Sequence, residues 1–304
     1  MLESLLTVAG QVVTLFLMMA IGFALVQFGL LNNDGLSQMA SLLLYVVAPC
    51  IIVDSVQRDD LPGLALLGVA ALALGSYYLL MPLSGLLYRG ERLDKAVVLR
   101  VGTVYGNTGF MGIPLLTVLL GPQALIYGAV SVVLFNTSQW LHAAVVMGGS
   151  FSVKKAFLNP GVIGLLLGLP FVLFPVRLPE MVGSAVHFMA GLNTPLAMVV
   201  IGGQMAGANL VATFTQPKLY LVAALKLLVI PAVVAVALLP FRLDGLLYCT
   251  CVILAATPTA GITGIFAQKF GRDTSTAAQL ITLTTLLSIL TLPIFAVVSQ
   301  MIAK

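Results

Sequence analysis

Charge is what this chain has least of: of its 304 residues 8% are Asp, Glu, Lys or Arg, whereas 60% are hydrophobic. A soluble domain carries roughly a quarter of its residues as charge, so the composition excludes an ordinary water-soluble fold and places the chain in a lipid bilayer. Cysteine is scarce as well. Cys50, Cys249 and Cys251 each fall inside an apolar run, with no spacing for a metal site and no even-numbered disulfide set, so they read as small apolar fillers. With 2 histidines, His142 and His187, near the outer ends of their runs, no metal site is expected. Trp140 beside His142 reads as a membrane-interface aromatic. The net charge of +4 comes from basic residues scattered between apolar runs without a stripe or cluster, which excludes a nucleic-acid partner. His-Glu-x-x-His, Gly-x-Ser-x-Gly and a Walker loop are missing, and the only acidic pair, Asp59-Asp60, lies in a short connection. An enzyme and a bound cofactor are therefore not expected.

What the chain does have is apolar runs long enough to cross a membrane. Between Gly, Pro and charged punctuation they give ten spans, five at about 5–28, 36–55, 62–88, 96–120 and 122–147, and five at about 160–175, 181–205, 218–240, 244–268 and 274–302. All read as helices, because strands facing lipid need a closed barrel and these runs lack alternation of apolar and polar residues. The first run, Leu5 to Phe28, follows Glu3 and no Lys or Arg, so it reads as a retained span rather than a cleaved signal peptide. Connections after odd-numbered spans hold Arg89, Arg92, Lys95, Lys154, Lys155, Lys218, Lys269 and Arg272, while even connections and the termini hold only Arg58, Arg177, Arg242 and Lys304. By the positive-inside rule the odd connections are cytoplasmic and both termini lie outside the cytoplasm. The expected place is the bacterial inner membrane, crossed many times.

Two of the ten runs are interrupted. Gly106-Asn107-Thr108-Gly109-Phe110-Met111-Gly112-Ile113-Pro114 breaks span 4, and Thr257-Pro258-Thr259-Ala260-Gly261-Ile262-Thr263-Gly264 breaks span 9. In hydrocarbon each unpaired backbone group costs several kcal/mol, so such breaks survive only where the freed groups meet protein, water or ligand. The halves match in other punctuation too: Pro49 with Pro195, Pro82 with Pro231, and Gly121 with Gly271 opening the turn into the last span of each half. Five spans is an odd number, so the second half, 151–304, enters the membrane upside down relative to the first, 1–150. Paired breaks in an inverted repeat point to the substrate site of an alternating-access carrier.

These residues also carry a family resemblance. The run Arg100 to Leu116, which holds the first break, resembles the fourth-helix signature of the auxin efflux carrier family in its bacterial branch, within the bile acid/arsenite/riboflavin transporter superfamily. Ala256-Thr257-Pro258-Thr259 through Phe270-Gly271, with the Ser/Thr-rich span ending Leu290-Thr291-Leu292-Pro293, resembles the ninth and tenth helices, and Lys226-Leu227-Leu228-Val229-Ile230-Pro231 the eighth. The connection from about Gly148 to Asn159 is short, unlike the long central loop of the plant carriers. Gly106-Asn107-Thr108-Gly109 stands where those carriers have Asn-Pro-Asn, so auxin itself is not expected. The resemblance implies ten helices with two crossing at their broken centres, a scaffold part and a transport part each drawn from both halves, a homodimer paired through scaffold helices, and transport of organic anions such as malonate or malate.

The breaks name the candidate binding residues. The second half of a broken helix begins with unpaired N–H groups carrying about half a positive charge, an anion site that needs no charged side chain. Asn107, Thr108 and Gly109 from the first break, and Thr257, Pro258, Thr259 and Thr263 from the second, are the expected substrate contacts; the alternative is that Asn107 only caps its own half-helix and the glycines allow close helix crossing, and a cap and a ligand contact can coexist. Asn136 and Gln139 in span 5 share a helix face and either line the cavity or bond neighbouring helices, as do Asn193, Thr194 and Gln204 in span 7. Lys226 lies eight residues beyond Lys218, hence about 12 Å along a helix against a half-membrane of about 15 Å, so it pairs with a carboxylate substrate or Asp54, or reaches back to the cytoplasm. Arg100 reaches back more easily. Asp54, at the outer end of span 2, is the candidate for proton coupling or else an interfacial carboxylate. The expected activity is carriage of small mono- or dicarboxylates, proton-coupled or as uniport or exchange. The alternatives are a sodium-coupled symporter of the bile-acid type and, behind it, an anion channel.

Overall fold

The computed structural model describes residues 2–57, 61–76, 78, 81–151, 154, 159–174, 176–208 and 210–303. Arg58, Asp59, Asp60, Lys155, Pro175 and Lys304 lie outside them. Every long element described is helical: α1 Leu2–Gln27, α2 Asn33–Ser55, α3 Leu64–Ser76, α4 Met81–Leu87, α5 Leu93–Val104, α6 Thr108–Leu120 and α7 Pro122–Val146, then α8 Pro160–Leu173, α9 Glu180–Ala206, α10 Leu210–Thr215, α11 Pro217–Phe241, α12 Gly245–Ala255, α13 Ile262–Lys269 and α14 Thr274–Ile302. Among the described residues six of these, α2, α7, α9, α11, α14 and the Val8–Gln27 part of α1, are long and apolar enough to cross a membrane. Four shorter apolar helices, α3, α6, α8 and α12, accompany them. The expected runs 96–120 and 244–268 are each two helices, and 181–205 turns at Leu192, which lets Pro195 sit in a first turn where no N–H is needed.

Short polar residues start the helices and prolines shape them. Asn32, Asn159, Asp244 and Asp273 each accept hydrogen bonds from first-turn N–H groups, which a helix in lipid cannot leave to water. Among the described residues four helices pass through a π-helical turn, Leu43–Val47, Thr108–Gly112, Gln139–Ala143 and Leu225–Val229, and all but the third end two residues before a proline, Pro49, Pro114 and Pro231. A proline has no N–H to give and crowds the carbonyl a turn earlier, and the wider turn relieves both. Gly121 (φ 87°) and Gly271 (φ 61°) make the equivalent turns after the two broken runs, in a backbone region open to glycine.

Small residues set the closest packing. A side chain on Gly22 would stand 2.1 Å from the carbonyl oxygen of Val199, and one on Gly202 would stand 1.8 Å from that of Met19, so α1 and α9 touch backbone to backbone. The largest apolar core runs from this pair through Leu43, Met111, Leu115, Leu116 and Val252 to Leu292.

Polar groups mark two ends. At one, Arg272 donates through Nη1 to Asp94 (2.7 Å) and through Nε to the Met147 carbonyl (2.8 Å), and Lys218 pairs with Glu91. Lys95 Nζ donates to Gln216 Oε1 (2.9 Å), and Gln216 Nε2 to Gln279 Oε1 (2.8 Å). Four connections rich in Lys and Arg thus meet at one end. Elsewhere the Leu178 N–H donates to Gln57 Oε1 (2.9 Å), joining the connections after α2 and α8. Arg272→Ala removes a half-exposed ion pair and one bond to a carbonyl, together worth about 1 kcal/mol. The expected result is a fall of about 2–4 °C in the unfolding midpoint of purified protein in detergent, with secondary structure retained.

Candidate functional site

The two interruptions satisfy each other. Gly106 and Thr259 pair as a single antiparallel bridge: the Asn107 N–H donates to the Pro258 carbonyl (2.7 Å) and the Ala260 N–H to the Tyr105 carbonyl (2.9 Å). Thr259 adds a bond from Oγ1 to the Gly102 carbonyl (2.8 Å), and its N–H donates to Thr284 Oγ1 (3.1 Å). Backbone groups freed by the glycines and prolines therefore find partners within protein, which is what allows a break inside an apolar run. Glycine is needed here for room, since a side chain on Gly106 would stand 2.5 Å from Thr257 Oγ1.

From this pairing two helices start toward a common space. Asn107 caps α6 by accepting the Phe110 N–H at Oδ1 (3.2 Å), and α13 begins just beyond Gly261. Both starts open on a cavity of about 530 Å³ whose lining includes Asn107, Gly109 and Phe110 from one and Ala260, Gly261 and Ile262 from the other. Gly109 faces open space, a side chain there meeting nothing within 4 Å. The remaining wall is mostly apolar, with Ile51 and Ile52 of α2 and Phe135 and Trp140 of α7, set with the amides of Asn136, Gln139, Asn193 and Gln204. Partial positive charge at two helix starts, several neutral donors and an apolar wall form a setting for an anion with a compact carbon body.

Of the residues expected at the site, Asn107, Gly109, Asn136 and Gln139 line this cavity together. Thr108 is buried and lines a separate space of about 20 Å³ with Ser131 and Cys251, its Oγ1 without a hydrogen-bond partner among the described residues. Thr257, Pro258 and Thr259 make up the pairing itself, with the Thr257 hydroxyl donating to the Leu254 carbonyl (2.7 Å). Thr263 is fully buried in the first turn of α13. Lys226 is fully buried on α11 and donates to the Ala255 carbonyl (2.8 Å), away from the lining. Asp54 faces His187, whose Nδ1 stands 3.2 Å from each carboxylate oxygen, rather than Lys226. The Arg100 guanidinium lies against Gly85. Among the described residues no cluster of His, Cys, Asp and Glu could hold a metal.

The cavity also takes residues that carried other readings. Trp140 turns inward, its ring 5.3 Å from that of Phe266 and beneath Lys269 Nζ at 5.1 Å. Lys154, counted only as a topology charge, and Asn159 line the wall as well. Asn159 directly precedes Pro160, a helix-start signal legible in the sequence, and it caps α8 by accepting the Val162 N–H at Oδ1 (3.1 Å). Trp140 had no such signal, because the faces of an apolar helix look alike until neighbours are placed.

Broken apolar helices paired at their centres beside an amide-lined cavity define a multi-pass membrane protein built to pass solutes. The chain belongs to the membrane transport protein family, that of the auxin efflux carriers, whose family model matches residues 7–150 and 144–296. It is 26% identical over 296 residues to an "Uncharacterized transporter" of Methanothermobacter thermautotrophicus, covering 94% of this chain and 97% of that one. It is 23% identical over 303 residues to a "Putative malonate transporter" of Rhizobium meliloti, covering 93% of each. Family and relatives are transporters, not enzymes.

Proposed function

We propose that the protein is a secondary carrier of small organic anions, mono- or dicarboxylates, working by alternating access and driven by protons or running as uniport or exchange. The observation that carries this reading is the cavity at which both helix starts and the amides of Asn107, Asn136 and Gln139 converge. A carboxylate there accepts from amide and backbone N–H groups, while the helix dipoles and the Lys154 side chain on the wall offset its charge.

Ten spans in two inverted halves, 1–150 and 151–304, with spans 4 and 9 crossing at their breaks, are the architecture that goes with it. Reciprocal packing supports this: α1 on α9 is matched by α8 on α2, and α1 on α14 by α8 on α7. Likewise α3 on α7 is matched by α11 on α14, and α5 on α13 by α6 on α12. Exchanging the first five spans for the second five converts each contact into its mate, as a two-fold axis in the membrane plane requires. The cavity then separates a scaffold group containing α2, α8 and α9 from a transport group containing the broken helices and α7, and sliding of one past the other would alternate its exposure. The basic connections would face the cytoplasm of a bacterial inner membrane, with both termini outside and a second copy pairing through the scaffold group.

Reconstitution into proteoliposomes tests the reading. Radiolabelled malonate, the solute in the name of one relative, is the first probe. Saturable uptake that accelerates with an inward proton gradient or an internal carboxylate, with no single-channel currents in planar bilayers, is expected. Uptake that needs a sodium gradient and ignores pH would replace the proposed coupling, and unitary currents would replace the carrier with a channel.

A further inference from the structure

A broken-helix pair has two kinds of end, and only one kind meets the cavity. The starts of α6 and α13 line it, through Gly109, Phe110, Gly261 and Ile262. The opposite poles, the last carbonyls of α5 and α12, carry partial negative charge, and in cation-coupled carriers unwound carbonyls and half-helix C-termini of this kind coordinate the driving ion. Here Lys226 occupies that place. Its Nζ donates to the carbonyl of Ala255, the last residue of α12, at 2.8 Å. It also packs against the chain just past the end of α5, where a side chain on Gly106 would stand 2.9 Å from Nζ and 3.3 Å from Cε. Lys226 is fully buried and is the only charged side chain buried among the described residues. The π-helical turn Leu225–Val229 carries it, so the register imposed before Pro231 aims it at the break.

We propose that the Lys226 ammonium is a tethered cation, standing at the C-terminal poles of the two breaks where a sodium-coupled carrier would bind its ion. It holds α12 against Gly106, and through that backbone pairing keeps Asn107 and the two helix starts in position without touching the solute. Lys226 is thus a positioning residue, and transport proceeds without sodium because the ion's place is filled by the chain. The inference rests on the carboxylate-carrier reading for its transport measurement but not for its binding measurement.

Lys226→Ala, Lys226→Met and Lys226→Arg test it, each as purified protein with unfolding midpoints and malonate uptake measured in sodium chloride and in N-methylglucamine chloride. Wild type is expected to show the same midpoint and the same uptake in both salts. Lys226→Met, which keeps most of the volume and loses the charge, is expected to lose at least about tenfold in uptake in both salts, and Lys226→Arg to keep most of it. Lys226→Ala vacates the site, so sodium or methylammonium is expected to raise its midpoint and recover part of its uptake while leaving wild type unmoved. Wild-type uptake that requires sodium, full uptake by Lys226→Met, or a Lys226→Ala midpoint indifferent to every cation would each overturn the proposal. Should wild type take up no carboxylate in either salt, the carrier reading fails, yet the cation dependence of the Lys226→Ala midpoint still decides whether Lys226 fills a cation site.

Discussion

Gly202→Val is expected to destabilise the protein by at least about 3 kcal/mol, the upper range for overpacking, and to shift it from a monodisperse to an aggregated species on size-exclusion chromatography. The first new atom alone would fall 1.8 Å from the Met19 carbonyl oxygen, and the obstacle is helix backbone rather than a side chain that can turn away. Relief requires α1 to move off α9. That motion would also uncover Gly22 opposite Val199 and open the main core at Leu15, Met19, Met198 and Ile201. Gly10→Ala, on the same helix but with nothing within 4 Å of the added methyl group, is the control and is expected to be neutral or stabilising by up to about 1 kcal/mol. Equal behaviour of the two variants would mean that the contact between α1 and α9 is not closely packed in the protein.

Asn107→Asp is expected to lower carboxylate uptake by about 100-fold while leaving the unfolding midpoint within a few degrees of wild type. Aspartate is as good a helix cap as asparagine, so the bond from the Phe110 N–H survives. What changes is a negative charge placed on the wall where an anion is to bind, and like-charge juxtaposition away from bulk water costs several kcal/mol, of which 100-fold accounts for about 2.7 kcal/mol. Asn107→Ala differs in kind: it removes cap and contact together and is expected to lower both midpoint and uptake. If Asn107 served only as a cap, Asn107→Asp would transport like wild type and Asn107→Ala would fail through instability alone. Measuring KM and maximal rate for both variants in the same liposomes separates these outcomes.

Much of the membrane architecture was legible in the chain because its physical signals are local. Apolar runs between charged connections gave helices at the expected places, and Gly106 to Pro114 and Thr257 to Gly264 marked where two of those helices stop, since glycine and proline act on their own backbone. Asn107 could be singled out for the same reason: an Asn ahead of a helix is a cap wherever the helix goes. The matching turns at Gly121 and Gly271 were visible as glycines, and their positive φ angles agree with that reading.

Questions of neighbourhood were settled elsewhere. Nothing in the sequence says that the Asn107 N–H is satisfied by the Pro258 carbonyl rather than by water, that Lys226 reaches Ala255 rather than Asp54, or that Trp140 lines the cavity. Helices that are apolar all round present no preferred face, so periodicity cannot assign their partners, and a lysine stem can run toward either end of its helix. What the sequence by itself determined is that this chain lies in a membrane as helices, two of them broken at set points. Which groups fill the breaks, and which side chains share the cavity, only the tertiary structure decided, because backbone hydrogen bonds and close packing between distant segments choose among faces that hydrophobicity leaves equivalent.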